Sequence, residues 1–583
     1  MRDSWSGRTD LLSIRRRGRL EQVSTAEFIA GAHSLALALE ERGLRPGERV
    51  ALWAENCPEW HVVDFACHLL GAVSVPIYPT LSPQAVAYIL KNCGASWVFY
   101  SDAEKAAGLA EIAASLSRSV RTVALDHEAR GDGDSLMLLQ ASGAGRIGEI
   151  PLERFRGRTS ATDTASIIYT SGTTGEPKGV MLSHRNFVSN VLACETLFPL
   201  GPTDQALSFL PLSHVFERTV DYLFLLRGVA IHYAPSIERV PPLLLEVRPT
   251  VLASVPRLYE RAYLRALANV AKESPLKQRI FHWSLRVGKR WSEARKRGTL
   301  VSPLLALQRA IAARLVHRKI QARFGGRLRF AIAGGAALGD QVAEFFDAVG
   351  ITLYQGYGLT ESAPVLAVNS PQANRRSSVG RAIPGVEIQI APDGEILGRS
   401  PGLMQGYWGN EEATREAIDE EGWLHTGDIG RVDGDGFLYI TDRKKDILIT
   451  SGGKNVAPQP IEQLLTAQPA IAQVVVVGDN YPYLTALLVP RFEDLPPPFA
   501  ARSHEELLAD ASFEKWIDAA VDAVNAQLSE HERIRNWQYL PRELSLAEGE
   551  MTPTLKVRRR VVLERYRDLV ASMYLKTQKV PLG

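Results

Sequence analysis

The feature that most restricts the fold is a repeated alternation of helical and β-rich runs in the first third of the chain. Residues 25–42 carry apolar Phe28, Ala32, Leu35 and Leu39 on one helical face, and Thr25 is placed to cap the start. Gly43 stops this helix, and Arg45-Pro46-Gly47 turns the chain into a strand over 49–53. A helix near 60–70 with a strand at 72–78 follows, then a helix at 82–92 with a strand at 96–100. Helices separated by short β-rich runs predict a mostly parallel α/β sheet.

Further along, the pattern changes twice. Residues 257–329 read as long helices with little strand. Leu276, Ile280, Trp283, Val287 and Trp291 share one face, and Gly298 ends that run. Ser302-Pro303 opens another helix by an N-cap and a proline at its first position. Its Leu304, Leu307, Ile311 and Leu315 are expected to face inward. After strand returns at Phe330, Asp393-Gly394, Asp433-Gly434 and Asp435-Gly436 punctuate short strands, as in the hairpins of a small β-barrel-like subdomain. Beyond Arg443 a helix near 460–465, strands at 473–478 and 484–489, and a Leu495-Pro-Pro-Pro498 linker predict a separate small α+β unit. The expected architecture is α/β: a large N-terminal domain, 1–444, of two α/β subdomains plus the β-rich subdomain, with 257–329 as an insertion. A small mobile α+β C-terminal domain, 445–583, follows.

Charge separates along the same lines. The 583 residues carry a net +2, which by itself points to no acidic partner. Residues 257–329 hold 19 Lys/Arg and 3 Asp/Glu, a net +16, so the remainder is near −14. No aromatic-rich motif accompanies the charge, so no nucleic-acid partner is expected. Two readings remain: a helical surface packed on acidic parts of the same protein, or a docking face for an anionic membrane. The four cysteines form no C-x-x-C pair, which argues for reduced, buried thiols rather than a disulfide framework or a cysteine zinc site. The N-terminus lacks a secretory pattern, and no apolar run approaches the roughly 20 residues that span a bilayer. A cytoplasmic location is expected, with peripheral contact at the inner face of a membrane as its extension.

Four segments carry chemistry. Tyr169-Thr-Ser-Gly-Thr-Thr-Gly-Glu-Pro-Lys-Gly179 follows a β-like run, and its glycines, hydroxyls and lysine suit a polyphosphate. It is not a Walker A loop, because Gly172 and Gly175 are too close and Pro177 precedes Lys178. In Tyr354-Gln-Gly-Tyr-Gly-Leu-Thr-Glu361, the glycines allow close backbone approach, Tyr357 offers a flat face for a base, and Glu361 is a hard oxygen ligand. Gly422-Trp-Leu-His-Thr-Gly-Asp428, with Asp442-Arg443, supplies a carboxylate and donors for ribose hydroxyls. Gly549-Glu-Met-Thr-Pro-Thr-Leu-Lys556 places a lysine in a basic region. Taken singly, the last three read as well as solvated loops.

In this order, the four resemble the adenylate-forming superfamily of acyl-CoA synthetases, carrier-charging adenylation domains and luciferases. The resemblance runs from about Thr25 to Lys556. It implies two half-reactions with ATP, Mg²⁺ and coenzyme A: a carboxylate attacks the α-phosphorus to give an acyl-adenylate and pyrophosphate, and a thiol then displaces AMP. Carried over, Thr170 and Glu361 would hold Mg²⁺. Ser171, Gly172, Thr173, Thr174, Gly175 and Lys178 would wrap the β- and γ-phosphates. Gly334, Gly335, Ala336 and Tyr357 would form the adenine slot, with Thr360 near the α-phosphate and Gly358 also among the cofactor-binding residues. Asp428 and Arg443 would hold ribose, and Lys556 would bridge carboxylate and α-phosphate. His214, in Pro211-Leu-Ser-His-Val-Phe216, matches a position beside the acyl pocket. Lys445 matches a hinge about which the C-terminal domain would rotate, bringing Ser451-Gly-Gly-Lys454 to the thioester site.

Fold and motifs do not name the acid. Val255-Pro-Arg-Leu-Tyr-Glu260 followed by the long insertion, and Phe209-Leu-Pro-Leu-Ser-His-Val-Phe-Glu217, resemble long-chain fatty acyl-CoA synthetases. The resemblance thus implies a long-chain fatty acid and CoA as partners. A ligase for medium-chain or aryl acids, or one passing its acyl-adenylate to a carrier protein, stays open. A homodimer is compatible with the sequence, which gives no oligomeric state.

Overall fold

The computed structural model describes residues 7–575 apart from 117–118, 127, 129–132, 171–175, 453, 493–494, 496–497, 500–501, 541, 546–547 and 553–556. Two large sheets organise the first 400 residues. One has eight strands in the order Gly406–Tyr407, Lys178–Ser183, Thr164–Thr170, Val73–Ile77, Arg49–Trp53, Trp97–Tyr100, Arg121–Ala124, Asp134–Ser135. Its pairings are parallel from Thr164–Thr170 onward and antiparallel on the other side. The other has nine strands, and its central run, Thr352–Gly358, Phe330–Ala333, Val251–Ser254, Gln205–Ser208, Ala230–Tyr233 and Leu12–Arg16, is parallel throughout. The predicted alternation is therefore observed. Its first helix spans Thr25–Glu41, but Ser24 rather than Thr25 is the cap: its hydroxyl accepts from the Glu27 N–H and the Glu27 side chain returns to the Ser24 N–H. Thr25 itself is buried.

One buried ion pair ties the sheets together. Arg218, on the helix Val215–Arg227, pairs with Asp64 on the helix Pro58–Leu70, both fully buried. The same guanidinium donates to Ser74 and Ser166, at 2.7 Å each, on adjacent strands of the eight-stranded sheet. Burial works to raise the Asp64 carboxyl, but Arg218 holds it well below the usual carboxylate range. A second buried pair, His61 Nε2 to Asp221 Oδ2 at 3.1 Å, links the same two helices. These helices contribute Trp60, Val63, Leu223 and Phe224 to one core that reaches strands of both sheets.

The insertion forms a helical layer: Pro256–Ala271, Pro275–Lys296, Pro303–Ala312, a π-helical turn at Ala313–His317, and Arg318–Arg323. Its base is anchored on the helix Asp340–Val349. A Cβ at Gly288 would lie 2.1 Å from the Ala348 carbonyl oxygen, so only glycine permits this approach. Lys289–Glu344 at 2.7 Å and Lys296–Asp347 at 2.6 Å add ion pairs. Ser302 caps the next helix as predicted. The inward face is not the predicted one. Leu305 and Ala312 pack against Trp283, Val287 and Trp291, whereas Leu304, Leu307, Ile311 and Leu315 are exposed. The apolar period marks a stripe on this helix but does not tell which stripe finds a partner. Leu276 is likewise exposed.

The strands Glu387–Ile390, Glu395–Arg399, Leu424–Val432 and Leu438–Arg443 form an antiparallel sheet with turns at the expected Asp-Gly pairs. It curls over Tyr357, Leu366 and Val379 as a half-barrel, joined back through Val379 N–H to Leu438 O at 2.9 Å. The C-terminal domain has its own three-stranded sheet, Ile471–Val477, Leu484–Pro490 and Ile534–Tyr539. One face is covered by Leu465, Phe513 and Ile517, the other by Val562, Val570 and Met573. Leu495 and Phe499, which flank the prolines of the segment read as a linker, are buried in the first of these cores. All four cysteines are buried, and none forms a disulfide.

Truncating one member of a buried ion pair leaves the other charge stranded. Arg218→Met should destabilise the fold by about 3–5 kcal/mol in denaturant titrations, and Arg218→Met with Asp64→Asn should recover part of that loss. A single variant as stable as the parent would contradict this role.

Candidate active site

The predicted phosphate loop is the connection of a hairpin. Strand Thr164–Thr170 runs into it and Lys178–Ser183 leaves it, with Thr170 directly opposite Lys178. Ser171, Gly172, Thr173, Thr174 and Gly175 lie outside the described residues, as does Lys556. The hairpin fixes both ends of the loop: Tyr169, just before it, is buried, and Tyr88 donates to the Pro177 carbonyl at 3.3 Å.

Glu361 is delivered to this hairpin by the neighbouring sheet. Strand Thr352–Gly358 ends at Gly358, where a Cβ would lie 1.8 Å from the Pro364 carbonyl oxygen. The chain then makes a tight turn at Thr360–Ser362, with Thr360 and Ser362 buried and Glu361 half-buried. Tyr407, from the edge strand paired with Val180, donates its hydroxyl to Glu361 Oε1 at 2.8 Å. Its ring also receives the Lys178 ammonium at 5.1 Å from the centroid. Burial and the Glu361 carboxylate push the Tyr407 phenol up, so it stays a proton donor at ordinary pH. Tyr407 thus joins a cation and a carboxylate that are far apart in sequence. No motif surrounds it in the Gly406-Tyr407-Trp408 run, and sequence reasoning missed it.

Four residues before Glu361, on the same strand, Tyr357 donates to Asp428 Oδ2 at 2.7 Å. Asp428 in turn forms an ion pair with Arg443, Oδ1 to Nε 3.2 Å, its partner across an antiparallel pairing. Burial and the adjacent Asp428 raise the Tyr357 phenol well above its ordinary value. Asp428 is buried and Arg443 half-exposed, so the pair sets a buried carboxylate beside a guanidinium that reaches solvent. The third corner is Gly334, Gly335 and Ala336, at the end of strand Phe330–Ala333. Gly334 is buried against Phe216, where a Cβ would approach the ring to 2.9 Å, while Gly335 and Ala336 are exposed. His214 caps the helix bearing Phe216, its Nδ1 accepting from the Phe216 N–H at 3.1 Å. Thr170, Gly334 and Tyr357–Gly358 therefore stand at the C-terminal ends of parallel strands, where open α/β sheets place their crevices, and Asp428 and Arg443 join them from an antiparallel sheet. The donor set, one hydroxyl and one carboxylate with an unshared oxygen, suits a hard cation that keeps other oxygen ligands. Among the described residues no three metal-ligating side chains cluster.

At the entry to the C-terminal domain, exposed Lys445 follows Asp442, a residue with a second job. Buried Asp442 accepts from the Arg443 N–H at 2.6 Å and from the Gln459 N–H at 3.1 Å, the latter in the first turn of the helix Pro458–Thr466. Burial pushes its carboxyl up to about 6, against the pull of these donors and Arg559, with Asp446 adding to the rise.

Residues 4–408 match the family described as AMP-binding enzyme, and residues 445–578 match the AMP-binding enzyme C-terminal domain. The chain belongs to the AMP-binding, adenylate-forming enzymes. It is 36% identical to the long-chain-fatty-acid–CoA ligase FadD15 of Mycobacterium tuberculosis over 564 residues, covering 95% of this chain and 92% of that one. It is 32% identical to long-chain-fatty-acid–CoA ligase 5 of Rattus norvegicus over 588 residues, covering 95% and 84%. Among solved structures, ATP-bound MatB from Rhodopseudomonas palustris superposes with a TM-score of 0.71 at 25% identity, covering 97% of this chain and 98% of that one. The adenylation domain of a carboxylate reductase from Mycobacterium chelonae shares the fold, with a TM-score of 0.77 at 23% identity, covering 98% and 89%.

A carboxyl raised from 3.8 to about 6 keeps its proton in the folded state while the unfolded chain releases it. Its contribution is neutral below about pH 4, falls as pH rises to 6, and is then constant. Between pH 4 and 7 the unfolding free energy of the parent should drop by roughly 3 kcal/mol relative to Asp442→Asn, as two pKa units imply. A pH-independent difference in denaturant titrations would overturn this.

Proposed function

We propose that this chain is an ATP-dependent long-chain fatty acid–CoA ligase. It converts the acid to an acyl-adenylate with release of pyrophosphate, then to acyl-CoA with release of AMP. The observation that carries this reading is the pair of clusters on one strand and its turn. Tyr357–Asp428–Arg443 matches a ribose, and Lys178–Tyr407–Glu361, four residues on, matches a phosphate chain with its cation. The long-chain assignment draws on relatives that are similar over nearly their whole length.

A free carboxylate is a poor electrophile, so the first step installs AMP as a leaving group. Its transition state concentrates negative charge on phosphate oxygens, which preorganised cations and donors stabilise. Ser171 to Gly175 and Lys178 hold the β- and γ-phosphates, with Lys178 aimed by the Tyr407 ring. Thr170 and Glu361 would hold Mg²⁺, which neutralises phosphate charge when bound. Gly334, Gly335, Ala336, Tyr357 and Gly358 line the adenine site, Thr360 sits by the α-phosphate, and Asp428 and Arg443 orient the ribose. His214 stands beside the acyl group, and Lys556 bridges carboxylate and α-phosphate. The 445–583 domain then rotates about Lys445 relative to 1–444, withdrawing Lys556 and bringing the 451–454 loop to the thioester site, where coenzyme A attacks. The basic insertion 257–329 faces an anionic membrane, the phase in which long-chain acids partition.

ATP–pyrophosphate exchange and thioester formation, measured with octanoate, laurate, palmitate and oleate with and without CoA, test the reaction. Both should proceed and favour the longer acids. Exchange without thioester would instead indicate transfer to a carrier protein. Lys556→Ala should lose on the order of 10²-fold or more in exchange while still forming thioester from supplied acyl-AMP; equal loss of both steps contradicts its role. Tyr407→Phe keeps the ring beside Lys178 but removes a hydrogen bond to a charged group. It should lower kcat/KM for Mg·ATP about 10- to 100-fold, matching roughly 1.5–3 kcal/mol.

A further inference from the structure

The helical insertion carries an apolar ridge that no described residue covers. Leu304, Leu307, Ile311 and Leu315, spaced by three, four and four residues, form one stripe with exposures of 64%, 59%, 44% and 44%. An adjacent side of the same helix is the one that packs, through Leu305 and Ala312. Leu300, just before it, is fully exposed. Exposed aliphatic side chains are normally scattered singly, and a continuous row of four marks a contact surface.

The charge around the ridge identifies what it contacts. Residues 303–329 contain no Asp or Glu. Arg314 lies within the ridge's span and Arg318, Lys319 and Arg323 continue the helical run past it, and all are exposed and without an ion pair among the described residues. The acidic partners that the core supplies, Glu344, Asp347 and Asp204, are taken by Lys289, Lys296 and Arg329 at the base of the insertion. The basic surface is therefore neutralised where it meets the enzyme and left open at the ridge. A leucine row flanked by arginines is the pattern of a helix lying in a bilayer interface, its apolar side chains below the headgroups and its cations among anionic phosphates. A second copy is a poor occupant, because a symmetric contact would set this cationic face against itself.

We propose that the ridge Leu304–Leu307–Ile311–Leu315 is the element that enters an anionic bilayer, with Arg314, Arg318, Lys319 and Arg323 at the headgroups. The inference rests on the reading of 257–329 as the membrane-facing part of a fatty-acid ligase and names the part that penetrates. The test uses the full chain, sedimented with phosphatidylglycerol–phosphatidylcholine vesicles or with phosphatidylcholine alone. Octanoate ligation in vesicle-free buffer serves as the check on folding.

The parent should bind the anionic vesicles. L304Q/L307Q/I311Q/L315Q should bind them at least about tenfold more weakly while ligating octanoate normally, since transfer of each aliphatic side chain favours the membrane. Tryptophan fluorescence of L307W should shift to the blue and be quenched by lipids brominated on the acyl chain. Two results separate this inference from the broader one. If the ridge variant binds like the parent and L307W is unquenched, while R314Q/R318Q/K319Q/R323Q binds weakly, the membrane contact stands but the ridge does not insert. If neither variant changes binding, both readings fall. A dimer that the ridge variant abolishes, with vesicle binding unchanged, would assign the ridge to a second copy and overturn the proposal.

Discussion

The active-site crevice depends on a guanidinium that never meets solvent. Arg218 pairs with Asp64 and reaches Ser74 and Ser166, so one side chain joins a helix of one sheet to a helix and two strands of the other. Ser166 lies on the strand that ends at Thr170, and Arg218 lies one turn after His214. The interaction therefore sets where the phosphate hairpin stands relative to the acyl corner. A charge buried this deeply is tolerated only when its donors are matched, and the Ser hydroxyls, Asp64 and Tyr222 supply acceptors for it.

Around that joint the candidate site is assembled from strand ends. Glu361 and Tyr357 come from one strand and its turn, Gly334 from the next, His214 from the cap of a helix, and Asp428 with Arg443 from the half-barrel. Tyr407 closes the arrangement from the opposite sheet. Its phenol, kept protonated by burial and Glu361, holds a carboxylate while its ring holds a cation. Asp442 and Gln459 then connect the half-barrel to the C-terminal domain next to Lys445, at the proposed pivot.

Much of this was legible in the chain. The helix–strand alternation, the Asp-Gly hairpins and the separate C-terminal unit are local signals, set by backbone preference and side-chain period, and all are observed. The motifs at 169–179, 354–361 and 422–428 were found because their residues are close in sequence. Tyr407 was not, since its partners Lys178 and Glu361 lie 229 and 46 positions away and nothing in a Gly-Tyr-Trp run announces them. The ridge was misread in an instructive way. Period alone placed Leu304, Leu307, Ile311 and Leu315 inside, but a helix with apolar residues on two sides buries whichever one meets Trp283 and Trp291.

The sequence by itself determined the class of fold, the order of the chemical motifs and the concentration of positive charge in 257–329, because these follow from local propensity, spacing and composition. Only the tertiary structure decided which groups share a proton donor, which acids neutralise the insertion, and which leucines remain outside. Those outcomes depend on contacts between distant segments. Whether a carboxylate is buried, a cation paired or an apolar stripe covered is a property of what packs against it, and no single stretch of chain carries that information.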